Sequence, residues 1–94
     1  MTQTIIVADD HPLFRAALKQ AVSQAVPDAK TVEVDSIKAL QAAVESHPDA
    51  DLVLLDLNMP GAHGFSGLVF MRGQYPGLPV VVVSGSEEMQ VMRR

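Results

Sequence analysis

The chain contains no cysteine among its 94 residues. Disulfide bonds and thiol chemistry are therefore excluded, and the composition is compatible with a reducing compartment. Long apolar runs are also lacking, since no segment approaches the length that crosses a bilayer. The N-terminus has no basic region followed by a long apolar stretch, so we predict no signal peptide and expect a soluble, cytoplasmic protein.

Basic residues are few. Seven Lys and Arg stand against eleven Asp and Glu, and the formal net charge is −4. Because the basic residues are scattered along the chain, direct binding to nucleic acid is disfavoured. We find no internal repeat, low-complexity segment or linker. The length therefore indicates one small domain over 1–94, with 48% hydrophobic residues to form a core.

Short apolar runs alternate with segments of helical periodicity, a pattern typical of repeated βα units in an α/β protein. We predict strands over 4–8, 31–35, 51–55 and 80–83. The run over 80–83 is apolar on both faces, as in an interior parallel strand, whereas 31–35 alternates and suits an edge strand.

The helices are predicted between these strands. Pro12 suits a first helical turn, and Pro27 ends this helix. Its apolar face comprises Phe14, Ala17, Leu18, Ala21, Val22 and Ala25. Ser36 is the expected N-cap of a second helix, which stops at His47 and Pro48. A third helix is predicted over 65–75 and a last helical stretch after Ser84.

The third helix has a wider apolar surface than one core-facing stripe requires. Its apolar residues are Phe65, Leu68, Val69, Phe70 and Met71. Two interpretations stay open, a helix buried on most sides or a helix that offers a surface to a partner. Gly67 and Gly73 each weaken this helix by about 1 kcal/mol relative to alanine.

Acidic residues directly follow two of the apolar runs. Asp9 and Asp10 follow the first predicted strand, and Asp56 follows the third. If these strands are parallel neighbours, the three carboxylates converge at one edge of the sheet. Clustered carboxylates repel one another unless a positive charge lies among them. A hard divalent cation with oxygen ligands is the simplest candidate, and phosphoryl chemistry is its usual purpose.

Three ordered motifs resemble the receiver domain of two-component response regulators. They are the pair Asp9-Asp10, the block over 54–61 with Gly64, and Ser84 after four valines. The segment over 8–15, ADDHPLFR, is similar to receivers of the NarL/FixJ/LuxR-type subfamily, whose members usually carry a C-terminal DNA-binding domain. The resemblance implies a flavodoxin-like, doubly wound parallel sheet with its site at the strand carboxyl ends.

The same resemblance implies the roles of individual residues. Asp56 is expected to be the phosphoacceptor, which would form a short-lived acyl phosphate. Mg²⁺ is the expected cofactor, held by Asp10 directly, Asp9 through water, Asp56, and the backbone carbonyl of Asn58. The Ser84 hydroxyl is expected to contact the phosphoryl group.

Each of these residues has a purely structural alternative. Asp56 alone would be an ordinary solvated residue at a strand end. One of Asp9 and Asp10 would cap the following helix, and Ser84 would cap a helix beginning near Ser86.

The three histidines, His11, His47 and His63, lie beside proline or glycine turns without ligand spacing. We interpret them as loop residues and not as phosphohistidine or metal sites.

The resulting function is a signalling phosphoacceptor rather than an enzyme. A sensor histidine kinase would phosphorylate it, and it would regulate transcription through an output domain absent from this chain, which alone would contact DNA. Two alternatives are a haloacid-dehalogenase-type phosphatase and a pseudo-receiver that binds a partner without phosphorylation. The phosphatase is disfavoured because that family uses Asp-x-Asp after its first strand.

The end of the chain departs from the family pattern. A whole receiver has a fifth strand, which carries a lysine, and a fifth helix, whereas no lysine follows Lys38 here. We expect the order 2-1-3-4 with the fifth strand and helix missing. The exposed edge of the fourth strand would then favour self-association.

Overall fold

The computed structural model describes residues 3–57, 59, 66–84 and 90–92. The elements are β1 (Thr4–Ala8), α1 (Pro12–Ala25), β2 (Lys30–Val34), α2 (Ile37–Ser46), β3 (Leu52–Asp56), α3 (Ser66–Gln74), β4 (Val80–Ser84) and β5 (Gln90–Met92). The predicted alternation of strands and helices is confirmed. The first four strands begin and end within one residue of the predicted bounds. None of the described helices is long and apolar enough to cross a membrane.

The strands form one sheet of order β2-β1-β3-β4-β5. β1 pairs in parallel with β2 on one side and with β3 on the other, and β3 pairs in parallel with β4. This arrangement confirms the predicted doubly wound order 2-1-3-4. The carboxyl ends of the four parallel strands consequently meet at one edge of the sheet, where open α/β sheets bind their ligands.

The segment after β4 differs from the prediction. Gln90–Met92 forms β5, which pairs antiparallel with β4 from Val82 to Ser84. The expectation of a last helix through 90–92, and of an unpaired β4 edge, was therefore wrong. The physical reason is that an interior-type apolar strand leaves a row of backbone donors and acceptors, and these are satisfied by the nearest chain segment able to pair. Residues 85–89, including Ser86, lie outside the described residues.

The core occupies both faces of the sheet, because successive side chains of a strand point to opposite faces. On one face, Ile6 and Ala8 of β1 pack with fully buried residues of α2, β3 and α3, among them Leu40, Leu55 and Met71. On the other face, Val7 packs with Leu18 of α1 and Val83 of β4. β1 is buried along its whole length as a result.

α1 buries a narrower stripe than the sequence predicted. Leu18 and Val22 are buried, whereas the three alanines of the predicted apolar face, Ala17, Ala21 and Ala25, are exposed. Among the described helices, only α1 packs with the core cluster on this face of the sheet. The alanines beside its contact stripe therefore have no second described helix to pack against.

Helix α2 begins as predicted. The Ser36 hydroxyl oxygen accepts a hydrogen bond from the Ala39 backbone N–H at 3.1 Å, so Ser36 is the N-cap. The helix ends before His47, whose ring Nδ1 lies 3.0 Å from the Ala43 carbonyl oxygen. On α3, Met71 is fully buried but Val69 is 68% exposed. A helix buried on most sides is therefore the wrong interpretation for Val69, and Phe65 lies outside the described residues.

Candidate functional site

The sheet register brings the predicted acidic residues together. Ala8 of β1 pairs with Leu55 of β3, so the next residue on each strand, Asp9 and Asp56, lies at the same level of the carboxyl edge. Four residues at this edge each offer one atom that could bind a metal ion, and these four atoms lie within 4.8 Å of one another. The residues are Asp9, Asp10, His11 and Asp56. The convergence predicted from the sequence is confirmed.

Asp9 is held by its backbone on both sides. Its N–H donates to the Val34 carbonyl at the end of β2 at 3.0 Å, and its own carbonyl accepts from an Arg15 guanidinium nitrogen at 2.8 Å. Arg15 is itself paired with Glu33 of β2 at 3.2 Å. These bonds connect Asp9 to the start of α1 and to the edge strand β2.

The carboxylates differ in burial. The side chains of Asp9 and Asp56 are fully buried, whereas that of Asp10 is 32% exposed. Asp9 Oδ1 accepts a hydrogen bond from the His11 backbone N–H at 2.7 Å. Asp9 Oδ2 is also buried and has no hydrogen-bond partner among the residues that the structure describes. An ionised oxygen in that position requires a positive partner, because its water shell has been removed.

The sequence analysis missed His11. Its ring Nδ1 lies 3.0 Å from Asp9 Oδ1, 3.1 Å from Asp10 Oδ1 and 3.4 Å from Asp56 Oδ2. The prediction that His11 is a loop residue is confirmed, since it directly precedes the first residue of α1. Its contact with the three carboxylates was not anticipated from the sequence. The position of His11 in the sequence could have indicated this contact. His11 lies between Asp10 and Pro12, and a residue at the start of a helix lies close to the end of the strand before it.

The carboxylates change the protonation of His11. A hydrogen bond to Asp9 raises the pKa of the imidazole above its usual 6.5, and the negative charge of Asp10 raises it further. When protonated, the ring places a positive charge beside three carboxylates. Because the His11 side chain is half-exposed, solvent and dissolved ions screen its interaction with the carboxylates and reduce the rise in its pKa.

The cluster fits a divalent cation. Three carboxylates and a buried oxygen without a described hydrogen-bond partner supply hard oxygen ligands, which Mg²⁺ prefers. Asn58, whose carbonyl was expected to contribute, lies outside the described residues.

Two further residues border this edge of the sheet. Ser84 is the last residue of β4, one position beyond Val83, which pairs with Asp56. Its backbone lies at the same edge as predicted, and its side chain lies outside what the structure describes. The Met59 N–H lies 3.4 Å from the Asp56 carbonyl, and its side chain is 2% exposed in the core. Met59 thus anchors the turn that follows Asp56.

Comparison with known proteins gives related sequences. The chain is 42% identical over 88 residues to the glycerol metabolism activator of Pseudomonas putida, covering 94% of this chain and 40% of that protein. It is 40% identical over 83 residues to the nitrate/nitrite response regulator NarL of Escherichia coli K12, covering 88% of this chain and 38% of NarL. The chain thus spans about two fifths of the length of these relatives.

The fold has close structural relatives. The RcsB response regulator of Salmonella typhimurium superimposes with a TM-score of 0.77 at 25% identity, over 89% of this chain and 44% of RcsB. Residues 5–94 match the family described as the response regulator receiver domain. This match does not support the phosphatase alternative, whose fold and motif order differ. The chain therefore belongs to the response regulator receiver domain family of two-component signalling proteins.

Proposed function

We propose that this chain is a phosphoacceptor module in which Asp56 receives a phosphoryl group from a sensor histidine kinase. The observation that carries the proposal is the convergence of Asp56 with Asp9 and Asp10 at the carboxyl edge of the sheet. The alternative for Asp56 is an ordinary aspartate that is exposed to solvent at a strand end. Asp56 is instead fully buried, and so is its acidic neighbour Asp9.

The chemistry is a substitution at phosphorus. An Asp56 carboxylate oxygen forms a bond to phosphorus while the bond from phosphorus to the histidine nitrogen of the donor breaks, and that nitrogen keeps the electron pair. Because the Asp56 side chain is fully buried, neighbouring side chains must move before a donor can reach it. The half-exposed His11 ring, 3.4 Å away, is one of them.

Mg²⁺ is the cofactor that the three carboxylates would hold. It would offset their charge and that of the phosphoryl oxygens during transfer. Asp10 is proposed as a direct ligand, Asp9 as a ligand through water, and Asn58 as a carbonyl donor. The Ser84 hydroxyl is proposed to contact the phosphoryl group from the neighbouring strand.

The output of the module is a further proposal, since the chain spans about two fifths of its relatives. NarL is named a response regulator, and one RcsB structure, at 25% identity to this chain, contains two RcsB dimers bound to DNA. By analogy, phosphorylation of Asp56 would regulate transcription through a DNA-binding domain outside residues 1–94, with self-association of the receiver as an intermediate step. A cytoplasmic location follows from the histidine kinase partner.

The test is labelling by a small phosphodonor. We expect acetyl phosphate with Mg²⁺ to add one phosphoryl group to the chain, detected by intact-protein mass spectrometry, and we expect no addition without Mg²⁺. Asp56→Asn should abolish labelling, whereas Asp49→Asn, a change of an exposed aspartate in the loop before β3, should leave it intact. Equal labelling of Asp56→Asn would disprove the assignment. Absence of labelling in every variant would favour the phosphorylation-independent pseudo-receiver.

A further inference from the structure

We propose that a cavity at the amino edge of the sheet binds a small primary ammonium compound with an apolar body. The cavity lies between the C-terminal ends of α2 and α3, beside the residues that precede β3 and β4. Asp56 and Ser84 are at the other ends of these two strands. The inference is therefore separate from the proposed phosphoacceptor function and does not depend on it.

The cavity has the size and the walls of a ligand site. Its volume of about 450 Å³ falls within the roughly 300–1,000 Å³ that is usual for small-molecule pockets. Apolar wall is supplied by Val44 of α2 and by Ala50 and Leu78, which precede β3 and β4. Val44 is buried, whereas Glu45 and Gly77 of the same wall are exposed. The cavity thus extends from the core to the surface, so that the apolar part of a ligand can leave water while a charged group stays near it.

The charge around the cavity is negative. Glu45 contributes a carboxylate, and none of the described lining residues is Lys or Arg. The last turn of α2, which forms part of the wall, contains no basic residue, so the negative end of this helix is not offset within the helix. Arg72 offsets the corresponding end of α3. A cationic ligand is therefore favoured over an anionic one.

Two ring side chains add partners for an ammonium group. Tyr75 directly follows α3 and supplies an aromatic ring, whose face attracts cations. His47 Nδ1 lies 3.0 Å from the Ala43 carbonyl oxygen, which can only accept, so this nitrogen carries the hydrogen. In the neutral ring, Nε2 is consequently a hydrogen-bond acceptor. A primary ammonium group, with three N–H donors, matches the acceptors of Glu45 and His47 beside the aromatic ring.

NMR titration of the ¹⁵N-labelled 94-residue chain with phenethylammonium tests the proposal. Phenethyl alcohol and phenylacetate are matched probes, because they keep the phenyl ring and replace the ammonium by a neutral or a negative group. We expect the amide shifts to change mainly at the residues that line the cavity. Phenethylammonium should bind most tightly, the alcohol more weakly and phenylacetate not at all.

One pair of variants tests the charge. Glu45→Gln should weaken binding of phenethylammonium by about two- to fivefold and leave the alcohol unchanged. Asp49→Asn is the matched control, since it removes the same charge from an exposed residue in the turn after α2 that does not line the cavity. It should leave both ligands unchanged.

A second pair of variants tests the location. Gly77 lines the cavity, and a Cβ added there meets no atom within 4 Å, so Gly77→Leu should occupy the space and abolish binding of both ligands. Gly73→Leu is the control, because Gly73 on α3 is equally open but does not line the cavity. The amide spectrum of each variant shows whether the fold is retained.

Several results would overturn the proposal. Equal binding of the three probes would remove the preference for a cation. An equal loss in Asp49→Asn and Glu45→Gln would indicate a diffuse effect of charge. Shift changes away from the cavity, unaltered binding in a folded Gly77→Leu chain, or no binding of phenethylammonium would remove the site. Each of these results is independent of whether acetyl phosphate labels Asp56.

Discussion

At the scale of single residues, the neighbours Asp9 and Asp10 have different environments. Asp9 is fully buried, and its backbone is tied to Val34 and Arg15. Asp10 is partly exposed and has no such backbone bond among the described residues. Asp9 therefore contributes to both the fold and the site, whereas Asp10 contributes mainly charge to the site.

The proposed roles of Asp10 as a direct ligand and of Asp9 as a ligand through water give a prediction for cation binding. We expect Asp10→Ala to weaken Mg²⁺ binding more than Asp9→Ala. Loss of a partner that acts through water lowers metal affinity by about 10–100-fold, and loss of a direct ligand should lower it further. Calorimetric titration of both variants gives the comparison. Equal losses would contradict the assigned roles and would point to a diffuse electrostatic effect, since both changes remove one negative charge.

A second prediction concerns the protonation of His11. Its pKa should lie above 6.5 in the cation-free protein, because of the hydrogen bond to Asp9 and then the charge of Asp10. A raised pKa means that the protonated ring stabilises the fold fully below pH 6.5, and that this contribution disappears as pH rises through the folded-state pKa. NMR titration of the ring protons gives the value. Asp9→Asn should lower it, and an unshifted pKa in the unmodified chain would refute the prediction.

At the scale of elements, local sequence accounts for α2 better than for α1. The predicted N-cap Ser36 is confirmed. Of the apolar residues expected on the inner side of α2, Leu40 and Val44 are buried and Ile37 is partly buried against the core. In α1 the same periodicity predicted an apolar face that the structure buries only in part, because helical spacing defines which residues share a face but not how much of that face is covered.

The N-cap of α2 gives a prediction for stability. Replacing Ser36 by alanine removes the oxygen that accepts the Ala39 N–H, and should lower the free energy of unfolding by about 1 kcal/mol. Ser23→Ala is the control, since Ser23 is an exposed residue within α1 and alanine favours helix there. Urea denaturation followed by circular dichroism measures both. A Ser36→Ala chain as stable as the unmodified one would show that the cap is dispensable.

At the scale of the whole molecule, the two edges of the sheet are where backbone groups can remain unpaired. β2 is one edge of the sheet and β5 is the other. The described pairing of β5 covers Val82 to Ser84, while Val80 and Val81 pair only with β3 among the described strands. The β4 edge is thus closed over part of its length.

Self-association through this edge remains a prediction. We expect concentration-dependent dimers, because an apolar strand with incomplete edge pairing can pair with another chain. Size-exclusion chromatography with light scattering over a wide range of concentrations measures the mass. Pro79→Lys, which adds charge at the exposed residue directly before the stretch of β4 that β5 does not cover, should shift the equilibrium toward monomer. A monomeric unmodified chain at high concentration would mean that the edge is covered sufficiently.

The sequence by itself indicated an α/β protein with acidic residues at the ends of two strands, and the resemblance of its motifs to receiver domains supplied the order of the first four strands and thereby the convergence of Asp9, Asp10 and Asp56. The alternation of apolar runs with helical segments restricts the topology, and carboxyl ends of parallel strands meet at one edge. Only the tertiary structure decided the place of His11 and the pairing of β5. Both depend on the separation of atoms from different segments, which periodicity and residue type do not encode.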